Sequence, residues 1–319
     1  MPRTSPLELL FSVDADRHGS GRRALARAAA SGGRVRLARG AYADAAALAV
    51  LERRDRYIAR IRAVAATRRS RRVVSHESAA ALLGLPLFPG DDARVHLTAV
   101  PPHGGVRTPG VQLHVARLGD EDVVEIDGML VTSLARTVLD LAASASRATA
   151  IAAADRVLLI DRFGRQPPML SREQLLAAWE RAQTMRARAR ALDVIEFAST
   201  AAESPLESES RWNMRVLGVP APLLQSRFDD AEGFIAYVDF DWPDYGVLGE
   251  ADGAMKYLAP RFPDGRTPGQ RLLAEKDRED RLRALPRRVV RWRADVVRDL
   301  PRFAARLAGQ GLPVTRPRR

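Results

Sequence analysis

Cysteine is absent from this sequence, and lysine is nearly so, since only 2 of the 51 basic residues are lysines. Without cysteine the chain can form neither a disulfide nor a thiolate metal site, which fits the reducing cytoplasm. Runs of about 18 apolar residues are also lacking, so we expect no transmembrane helix. The amino terminus, MPRTSPLELLFSVDADRHGSG, has acids where the apolar core of a signal peptide would continue. We therefore expect a cytoplasmic protein with no membrane partner.

The positive charge is concentrated in the first quarter of the chain. Residues 1–75 hold 17 arginines and 6 acidic residues, a net charge of +11 out of +12 for all 319 residues. A general arginine bias would raise the charge of the whole chain, whereas the remaining residues are close to neutral. A concentrated basic segment is typical of a nucleic-acid-binding protein. An acidic membrane surface is the less favoured alternative, because no large amphipathic face with aromatic anchors accompanies the charge.

The basic segment predicts a helix followed by a short hairpin. GRRALARAAA (residues 21–30) follows Ser20, a plausible N-cap, and ends at two glycines. RVRLARGAY (residues 34–42) alternates arginine with apolar residues, as a half-exposed strand does, and Gly40 breaks it. A helix before a basic strand pair is typical of a winged helix-turn-helix, although a small solvated helix-hairpin is the alternative. The candidate DNA-binding residues are Arg22, Arg23, Arg27, Arg34, Arg36 and Arg39.

This segment resembles the amino-terminal domain of AbiEi-type antitoxins in GSGRRALARAAASGGRVRLARGAYAD, above all in its L-x-R-G-x-Y ending. The resemblance implies binding of operator DNA, repression of the protein's own operon and a cognate toxin as partner. Beyond it, apolar residues at helical spacing predict one long helix over residues 45–67.

The middle of the chain, residues 73–195, predicts an α/β arrangement. Ser75 is expected to cap a short helix, Asp127-Gly128 signals a hairpin, and Ser133 starts another helix. A charged helix over residues 172–197 should lead into the last segment. SHESAAALLGLP and VTSLARTVLDLA resemble the middle of the same antitoxin-related architecture. The histidines show no metal-ligand spacing, so we expect them to be core or surface side chains.

The last segment predicts a helix and a hairpin rich in carboxylates. SPLE (residues 204–207) reads as a capping box with proline at the first helical position. GFIAYVDFDW (residues 233–242) predicts a strand, PDYG a turn, and VLGEAD (residues 247–252) the return strand. A four-residue turn pairs Trp242 with Val247 and places Asp239 opposite Glu250. Val238, Phe240 and Ala251 should then form an apolar back face.

Two facing carboxylates destabilise a sheet unless something compensates their charge. A hard divalent cation such as Mg²⁺ or Mn²⁺, which binds carboxylate and water oxygens, would do so. A lysine beside a metal-bound water can exchange a proton, which arginine does not do. Lys256, just beyond the hairpin, is therefore a candidate for this role.

The layout resembles PD-(D/E)XK nucleases, and within them the very-short-patch-repair-like branch. The matching stretches are ESESR, VDF, GEADG, EKDREDRLRAL and VVRW, in this order within residues 203–295. The resemblance implies that Asp239 and Glu250 bind metal, with Glu207 or Asp252 assisting. The sequence departs from the superfamily at Asp252, which stands where the Glu-x-Lys lysine is usual. Secondary candidates are Lys276, which alternatively forms helical ion pairs, and Arg291, which could contact phosphate.

These observations predict a multi-domain α/β protein. Its parts are a winged helix-turn-helix with a long helix (residues 1–72), an α/β middle domain with a linker helix (73–195), and a restriction-endonuclease-like α/β domain with a mixed sheet (196–319). The predicted function is Mg²⁺-dependent hydrolysis of DNA phosphodiesters. The alternative is a non-catalytic AbiEi-type antitoxin and autorepressor that keeps a degenerate nuclease fold.

Overall fold

The computed structural model describes residues 7–13, 21–67, 72–99, 109–252 and 268–315. The chain divides into two compact units. Unit 1 comprises Met1–Val157 and Met169–Ala198, and unit 2 comprises Leu158–Pro168 and Ser199–Arg319. Each unit combines helices with sheets, so the predicted multi-domain α/β class is confirmed at this level. Within the described ranges, no helix is long and apolar enough to cross a membrane.

Unit 1 begins with a small antiparallel sheet in the strand order β1-β3-β2. Its elements are β1 (Leu10–Phe11), α1 (Arg22–Ala30), β2 (Arg34–Ala38) and β3 (Ala41–Asp44). Gly40 in the β2–β3 turn has φ +81°, a left-handed conformation that glycine adopts at little cost. The predicted helix and basic hairpin are confirmed, while the expected N-cap Ser20 lies outside the described residues.

The long helix predicted over residues 45–67 is wrong, because the structure has two helices there. They are α2 (Ala45–Ala49), capped by Asp44, and α3 (Arg53–Ala66). Between them Glu52 is extended, at φ −63° and ψ 158°. The break lets Leu48 and Leu51 pack beside Leu7 and Ala43, whereas Ile58 and Ile61 of α3 pack into the core of the next sheet. Two separate apolar clusters therefore replace the single apolar stripe that the spacing suggested.

The second sheet of unit 1 has five strands in the order β6-β5-β4-β8-β7. Its elements, with the helices that follow them, are β4 (Val73–Val74), α4 (His76–Leu82), β5 (Val95–Ala99), β6 (Val111–Val115), β7 (Val123–Ile126), β8 (Met129–Thr132), α5 (Leu134–Ser144) and α6 (Arg147–Leu158). The predicted Asp127-Gly128 hairpin and the Ser133 cap of α5 are confirmed. Ser75 stands at the N-cap position of α4, but its side chain makes no capping hydrogen bond. Its Oγ instead accepts a hydrogen bond from Thr98 Oγ1 at 2.8 Å.

The single linker helix predicted over residues 172–197 is also wrong. The chain forms α7 (Arg172–Arg181) and α8 (Arg188–Phe197), joined by a turn in which Ala187 has φ +55°. The two helices pack on each other, and Trp179 Nε1 donates to Arg188 O across the turn at 3.0 Å. Arg172 donates to Ala198 O at 2.6 Å, which ties the start of α7 to the end of α8. These contacts stabilise the reversal of chain direction between α7 and α8, which the charged sequence pattern does not predict.

Unit 2 is built on a four-stranded mixed sheet in the order β12-β11-β10-β9, in which only β11 and β12 run parallel. The strands are β9 (Leu223–Asp230), β10 (Gly233–Trp242), β11 (Val247–Ala251) and β12 (Arg288–Trp292), and the helices are α9 (Pro205–Val216), α10 (Pro268–Ala284), α11 (Ala294–Arg298) and α12 (Leu300–Ala308). The main apolar cluster contains Phe240, Trp242, Trp292 and Phe303, all at most 2% exposed. A second cluster joins Val238 and Leu248 to Leu282 of α10. Val238 therefore belongs to a different apolar cluster from Phe240 and Ala251, so the single apolar back face predicted for the three residues is wrong.

Gly249 on β11 leaves room for the two tryptophans of the main cluster. A Cβ at this position would lie 2.6 Å from Trp292 Cη2 and 3.0 Å from Trp242 Cζ3. We predict that Gly249→Ala lowers the free energy of unfolding by about 1–3 kcal/mol, since an overpacked core must shift rigid buried rings. Urea unfolding followed by tryptophan fluorescence measures the change. Gly269→Ala in α10, whose added Cβ meets nothing within 4 Å, is the control and should show no loss. Equal stability of both variants would contradict the packing argument.

Candidate functional site

The β10–β11 hairpin has the predicted register. Phe240 pairs with Gly249, Asp241 with Leu248 and Trp242 with Val247. Pro243–Tyr245 forms one turn of 3₁₀ helix, and Gly246 follows at φ +60°. The four-residue turn inferred from PDYG is therefore confirmed, together with the alignment of the two strands beside it.

Asp239 directly precedes Phe240, whose pairing with Gly249 ends the ladder between the two strands. Its Oδ2 accepts a hydrogen bond from the backbone N–H of Ala251 at 2.9 Å. A side-chain carboxylate thus accepts the hydrogen bond that a backbone carbonyl accepts elsewhere in a ladder. This bond fixes the Asp239 side chain against β11.

Glu207 on α9 shares a partner with Asp239. Gln225 Nε2 donates to Glu207 Oε2 at 3.0 Å and to Asp239 Oδ1 at 3.3 Å, so one amide group bridges two carboxylates. Gln225 has φ +53°, which is rare for a side-chain-bearing residue inside a strand and costs free energy. We call Glu207, Gln225 and Asp239 the carboxylate cluster. Local strain at its central residue is typical of functional sites.

The helix cap positions Glu207. Ser204 Oγ accepts from Glu207 N at 3.2 Å, and Pro205 opens the helix, as the SPLE pattern predicts. The Glu207 carboxylate reaches back to the N–H of Glu203 at 2.9 Å, one residue before the N-cap N–H that the predicted capping box would use. Burial, and after it the charge of Asp239, raise the pKa of Glu207 to about 7. At neutral pH this carboxyl is therefore near its titration midpoint.

Glu250, the residue predicted to face Asp239, is buried and has two basic partners. Its Oε1 lies 2.9 Å from Arg278 Nη1, and its Oε2 lies 2.6 Å from Arg291 Nη2. Arg291 stands beside Glu250 in the parallel β11–β12 register, and Arg278 comes from α10. The structure thus brings Asp239 together with Glu207, and Glu250 together with arginines.

The remaining predicted site residues are not part of the carboxylate cluster as defined above. Asp252 is half-buried, and its backbone N–H donates to Trp292 O at 2.8 Å. Lys276 is exposed on α10. Lys256 lies outside the described residues. Within the part of the chain that the structure describes, no group of three or more His, Asp or Glu side chains is arranged to hold a metal ion.

Sequence reasoning missed Gln225 and Arg162. Arg162 belongs to the segment of unit 2 that precedes α7, and its Nη2 donates to Gln225 Oε1 at 2.6 Å. Its Nε donates to Glu203 Oε1 at 2.8 Å, and its guanidinium lies 4.3 Å from the centroid of the Tyr237 ring. These contacts orient the Gln225 amide so that Nε2 faces the two carboxylates. No motif marks either residue, because their partners are distant in the sequence.

The predicted DNA-contacting arginines of unit 1 are mostly accessible. Arg23, Arg27, Arg36 and Arg39 are exposed on α1 and the β2–β3 hairpin. Arg34 is half-buried and pairs with Asp44 at 3.5 Å. The backbone of Arg22 opens α1, while its side chain lies outside the described atoms. Four exposed guanidinium groups on one helix and one hairpin form a surface that can attract phosphate.

No protein-family model matches the chain. Two proteins of Mycobacterium tuberculosis are similar to it: the uncharacterized protein MT2308 of strain CDC 1551 / Oshkosh and the uncharacterized protein Rv2248 of strain ATCC 25618 / H37Rv. Each is 30% identical over 208 residues, which cover 64% of this chain and 70% of the relative.

The raised pKa of Glu207 predicts a pH-dependent stability. The folded protein binds this proton more tightly than the unfolded chain does, so stability falls as the pH rises from about 4.5, the ordinary value, to about 7. Glu207→Gln removes the ionisation and should be more stable than the wild type by about 1–3 kcal/mol at pH 8, with little difference at pH 4.5. Urea unfolding at both pH values measures this. Asp244→Asn, at an exposed position of the hairpin turn, is the control. A pH-independent difference for Glu207→Gln would contradict the assignment.

Proposed function

This chain belongs to the family of the mycobacterial proteins MT2308 and Rv2248. We propose that it is a DNA-binding protein with a metal-dependent nuclease site in unit 2. The observation that carries the proposal is the carboxylate cluster, in which Glu207 and Asp239 are brought together on a rigid sheet and helix. The resemblances to AbiEi-type antitoxins and to the very-short-patch-repair-like nucleases supply the substrate class, which is DNA.

The basic surface of unit 1 supports DNA as the partner. Arg36 and Arg39 are exposed on the hairpin, and Arg23 and Arg27 are exposed on α1. In a winged helix, a helix lies in the major groove while the hairpin contacts phosphate. The strand order β1-β3-β2, with α1 between β1 and β2, is compatible with such a module. Arg34, which pairs with Asp44, is the weaker candidate on the same hairpin.

The carboxylate cluster fits a hard divalent cation such as Mg²⁺ or Mn²⁺. Mg²⁺ is usually bound by one or two protein carboxylates together with water and substrate phosphates, so Glu207 and Asp239 are a sufficient set. Burial and the charge of Asp239 both raise the pKa of Glu207. A cation bound between the two carboxylates would relieve their mutual repulsion. Glu250 does not fit the role of second ligand in this arrangement, because Arg278 and Arg291 already neutralise it.

The site residues then divide the work of phosphodiester hydrolysis. A bound divalent cation supplies an activated water and neutralises charge on the attacked phosphate. Asp239, held by Ala251 N, and Glu207, held by Glu203 N, would bind the cation in fixed positions. Arg278 and Arg291 place positive charge beside the same strand, where it favours the approach of a phosphate group. Asp252 and Lys256 stay candidates for assisting roles through the resemblance alone.

A second function is favoured by the way the cluster is already satisfied. The Gln225 amide bridges Glu207 and Asp239, and Arg162 orients it. In a nuclease fold retained only for packing, we expect the buried carboxylates to have protein partners in place of a cation. The Gln225 amide is such a partner for Glu207 and Asp239, and the two arginines are such partners for Glu250. The corresponding proposal is a cytoplasmic, non-catalytic AbiEi-type antitoxin that represses its operon and binds a cognate toxin.

Plasmid nicking distinguishes the two functions. We expect the purified chain to nick supercoiled DNA in the presence of Mg²⁺ or Mn²⁺ but not EDTA. Asp239→Asn should reduce the nicking rate by about 100-fold or more, because it removes a metal-binding charge from a fixed position. Asp244→Asn, on the exposed turn of the same hairpin, should nick at the wild-type rate.

The nicking experiment also has outcomes that reject the enzyme. If the wild type nicks no DNA with either cation, or if Asp239→Asn nicks as fast as the wild type, the nuclease proposal fails. Thermal unfolding of each variant excludes a folding defect as the cause of lost nicking.

DNA binding by the hairpin is tested through its salt dependence. The double variant Arg36→Ala, Arg39→Ala removes two exposed charges from the hairpin. If both contact phosphate, the slope of log affinity against log salt concentration should fall by about 2. Fluorescence anisotropy with duplex DNA at several salt concentrations measures the slope. The control Arg302→Ala, Arg306→Ala removes equal charge from exposed positions of α12 and should leave the slope unchanged. Equal slopes for the wild type and the hairpin variant would exclude these contacts.

A further inference from the structure

Unit 2 carries exposed aromatic rings beside the carboxylate cluster. Phe163 lies in the segment of residues 158–168, and Phe234 and Tyr237 lie on β10. Phe163 is 60% exposed, Phe234 is 46% exposed and Tyr237 is half-buried. The Tyr237 ring centroid lies 6.3 Å from that of Phe163 and 5.2 Å from that of Phe234, so the three rings are neighbours. Single exposed apolar side chains are common on protein surfaces, whereas adjoining exposed rings indicate a binding surface.

Each of the three rings has an arginine guanidinium group over it. The distances from the guanidinium carbon to the ring centroid are 4.8 Å for Arg165 and Phe163, 5.1 Å for Arg227 and Phe234, and 4.3 Å for Arg162 and Tyr237. We call these six residues the aromatic–arginine patch. Aromatic rings and guanidinium planes are the two protein surfaces on which unpaired nucleic-acid bases stack.

Two arginines of the patch have accessible guanidinium groups. The side chains of Arg165 and Arg227 are 72% and 57% exposed, and they pair with Asp161 at 3.1 Å and with Asp229 at 2.7 Å. Exposed ion pairs of this kind contribute little to stability, because water solvates both partners when they separate. A phosphate group can therefore replace the acidic partner at low cost, since guanidinium donates to phosphate and carboxylate with the same geometry.

The area of the patch favours a small planar partner over a protein. With roughly 200 Å² for a whole phenylalanine side chain, the exposed fractions of Phe163 and Phe234 leave about 200 Å² of accessible ring surface. A specific protein–protein interface buries about 800 Å² on each partner. Acidic side chains border Phe234, since Asp229, its neighbour on β9, is 43% exposed and Glu232 is 80% exposed. The apolar surface therefore ends near the rings and suits one or two stacked bases.

The patch adjoins the carboxylate cluster. The Arg162 guanidinium lies over the Tyr237 ring and also donates to Gln225 Oε1 at 2.6 Å, so one side chain contacts both groups. Tyr237 and Asp239 are two residues apart on β10 and share a face of the strand, about 7 Å from each other along its axis. A DNA strand whose bases stack on the patch would therefore have a phosphodiester beside Asp239.

We propose that the aromatic–arginine patch binds unpaired bases of single-stranded DNA, with Phe163 and Phe234 stacked on bases and Arg165 and Arg227 paired with phosphates. DNA as the occupant rests on the proposed function. The stacked bases hold the adjoining phosphodiester at the carboxylate cluster, so the preferred substrate is DNA with an unpaired segment. Stacking is tolerant of sequence because every base has a π face.

Fluorescence anisotropy with a labelled oligothymidine of about 16 nucleotides, in EDTA, tests this binding on the full chain. All proteins carry Arg36→Ala and Arg39→Ala, which remove the hairpin charges of unit 1. The double variant Phe163→Ala, Phe234→Ala should bind the oligonucleotide about 10-fold more weakly or worse, since removal of one stacking ring commonly costs about 5-fold or more. Both rings are exposed, so we expect the fold to tolerate the change, and thermal unfolding checks this.

Two control variants separate stacking from general apolar contact. Phe163→Leu, Phe234→Leu keeps apolar side chains without a π face and should bind as weakly as the alanine variant. Val115→Ala, Val124→Ala removes two side chains of similar exposure, 54% and 38%, from unit 1 and should bind as the parent protein does. A strand of the same length made of abasic nucleotides keeps the phosphates but lacks bases. It should bind the parent protein as weakly as oligothymidine binds the alanine variant.

Three results would overturn the proposal. The first is equal affinity of the parent protein and the alanine variant for oligothymidine, and the second is equal affinity of the parent protein for oligothymidine and the abasic strand. The third is self-association of the parent protein that the alanine variant loses, as measured by light scattering, because the patch would then be a contact between copies of this chain.

The binding assay is independent of cleavage, because EDTA removes the cation. A chain that binds oligothymidine through the patch but nicks no plasmid keeps this inference and loses the nuclease function. A chain that nicks plasmid but binds oligothymidine equally well without the two rings keeps the nuclease function and loses this inference.

Discussion

The hydrogen bond from Ala251 N to Asp239 Oδ2 determines the arrangement of the candidate site. It holds a carboxylate of β10 against β11 at the place where the regular ladder between the strands stops. Asp239 can then reach the Gln225 amide, and through it Glu207 on α9. Without this bond, the Asp239 carboxylate would lose this attachment to β11, although the Gln225 amide would still join it to Glu207.

The acids of unit 2 are compensated in different ways, and this difference gives them different chemistry. Two arginines form ion pairs with Glu250, which thereby joins β11 to β12 and α10. Burial, and after it the charge of Asp239, raise the pKa of Glu207 to about 7, although its hydrogen bonds act in the opposite direction. An acid that is poised near neutrality can exchange a proton or bind a cation, whereas an ion-paired acid cannot do so without breaking its pairs. Chemical reactivity is therefore expected at Glu207 and Asp239 rather than at Glu250.

Local features of this fold are readable from the sequence, and long-range ones are not. The PDYG turn fixes the register of the β10–β11 hairpin, Asp127-Gly128 fixes another turn, and Ser204 marks the start of α9, because each depends on a few neighbouring residues. The breaks at Val50–Glu52 and at residues 182–187 are not readable, since they arise from packing against partners elsewhere. The same limit explains the candidate site. Asp239 and Glu207 belong to local sequence patterns that can be recognised. Gln225 and Arg162 contact the site only in the folded chain. The arginine partners of Glu250 likewise come from distant elements, β12 and α10.

The path of the chain between the two units has a consequence for dissecting the protein. Residues 158–168 belong to unit 2, residues 169–198 return to unit 1, and the chain enters unit 2 again at Ser199. A fragment that begins at Ser199 would contain every acid of the carboxylate cluster but would lack Arg162, whose guanidinium sets which end of the Gln225 amide faces them. Freed from that arginine, the amide could reverse and present its oxygen instead of its nitrogen. In the isolated C-terminal fragment, the end of the Gln225 amide that faces the two carboxylates would then differ from that in the intact protein. Cation affinity measured on the fragment alone would therefore not describe the whole chain.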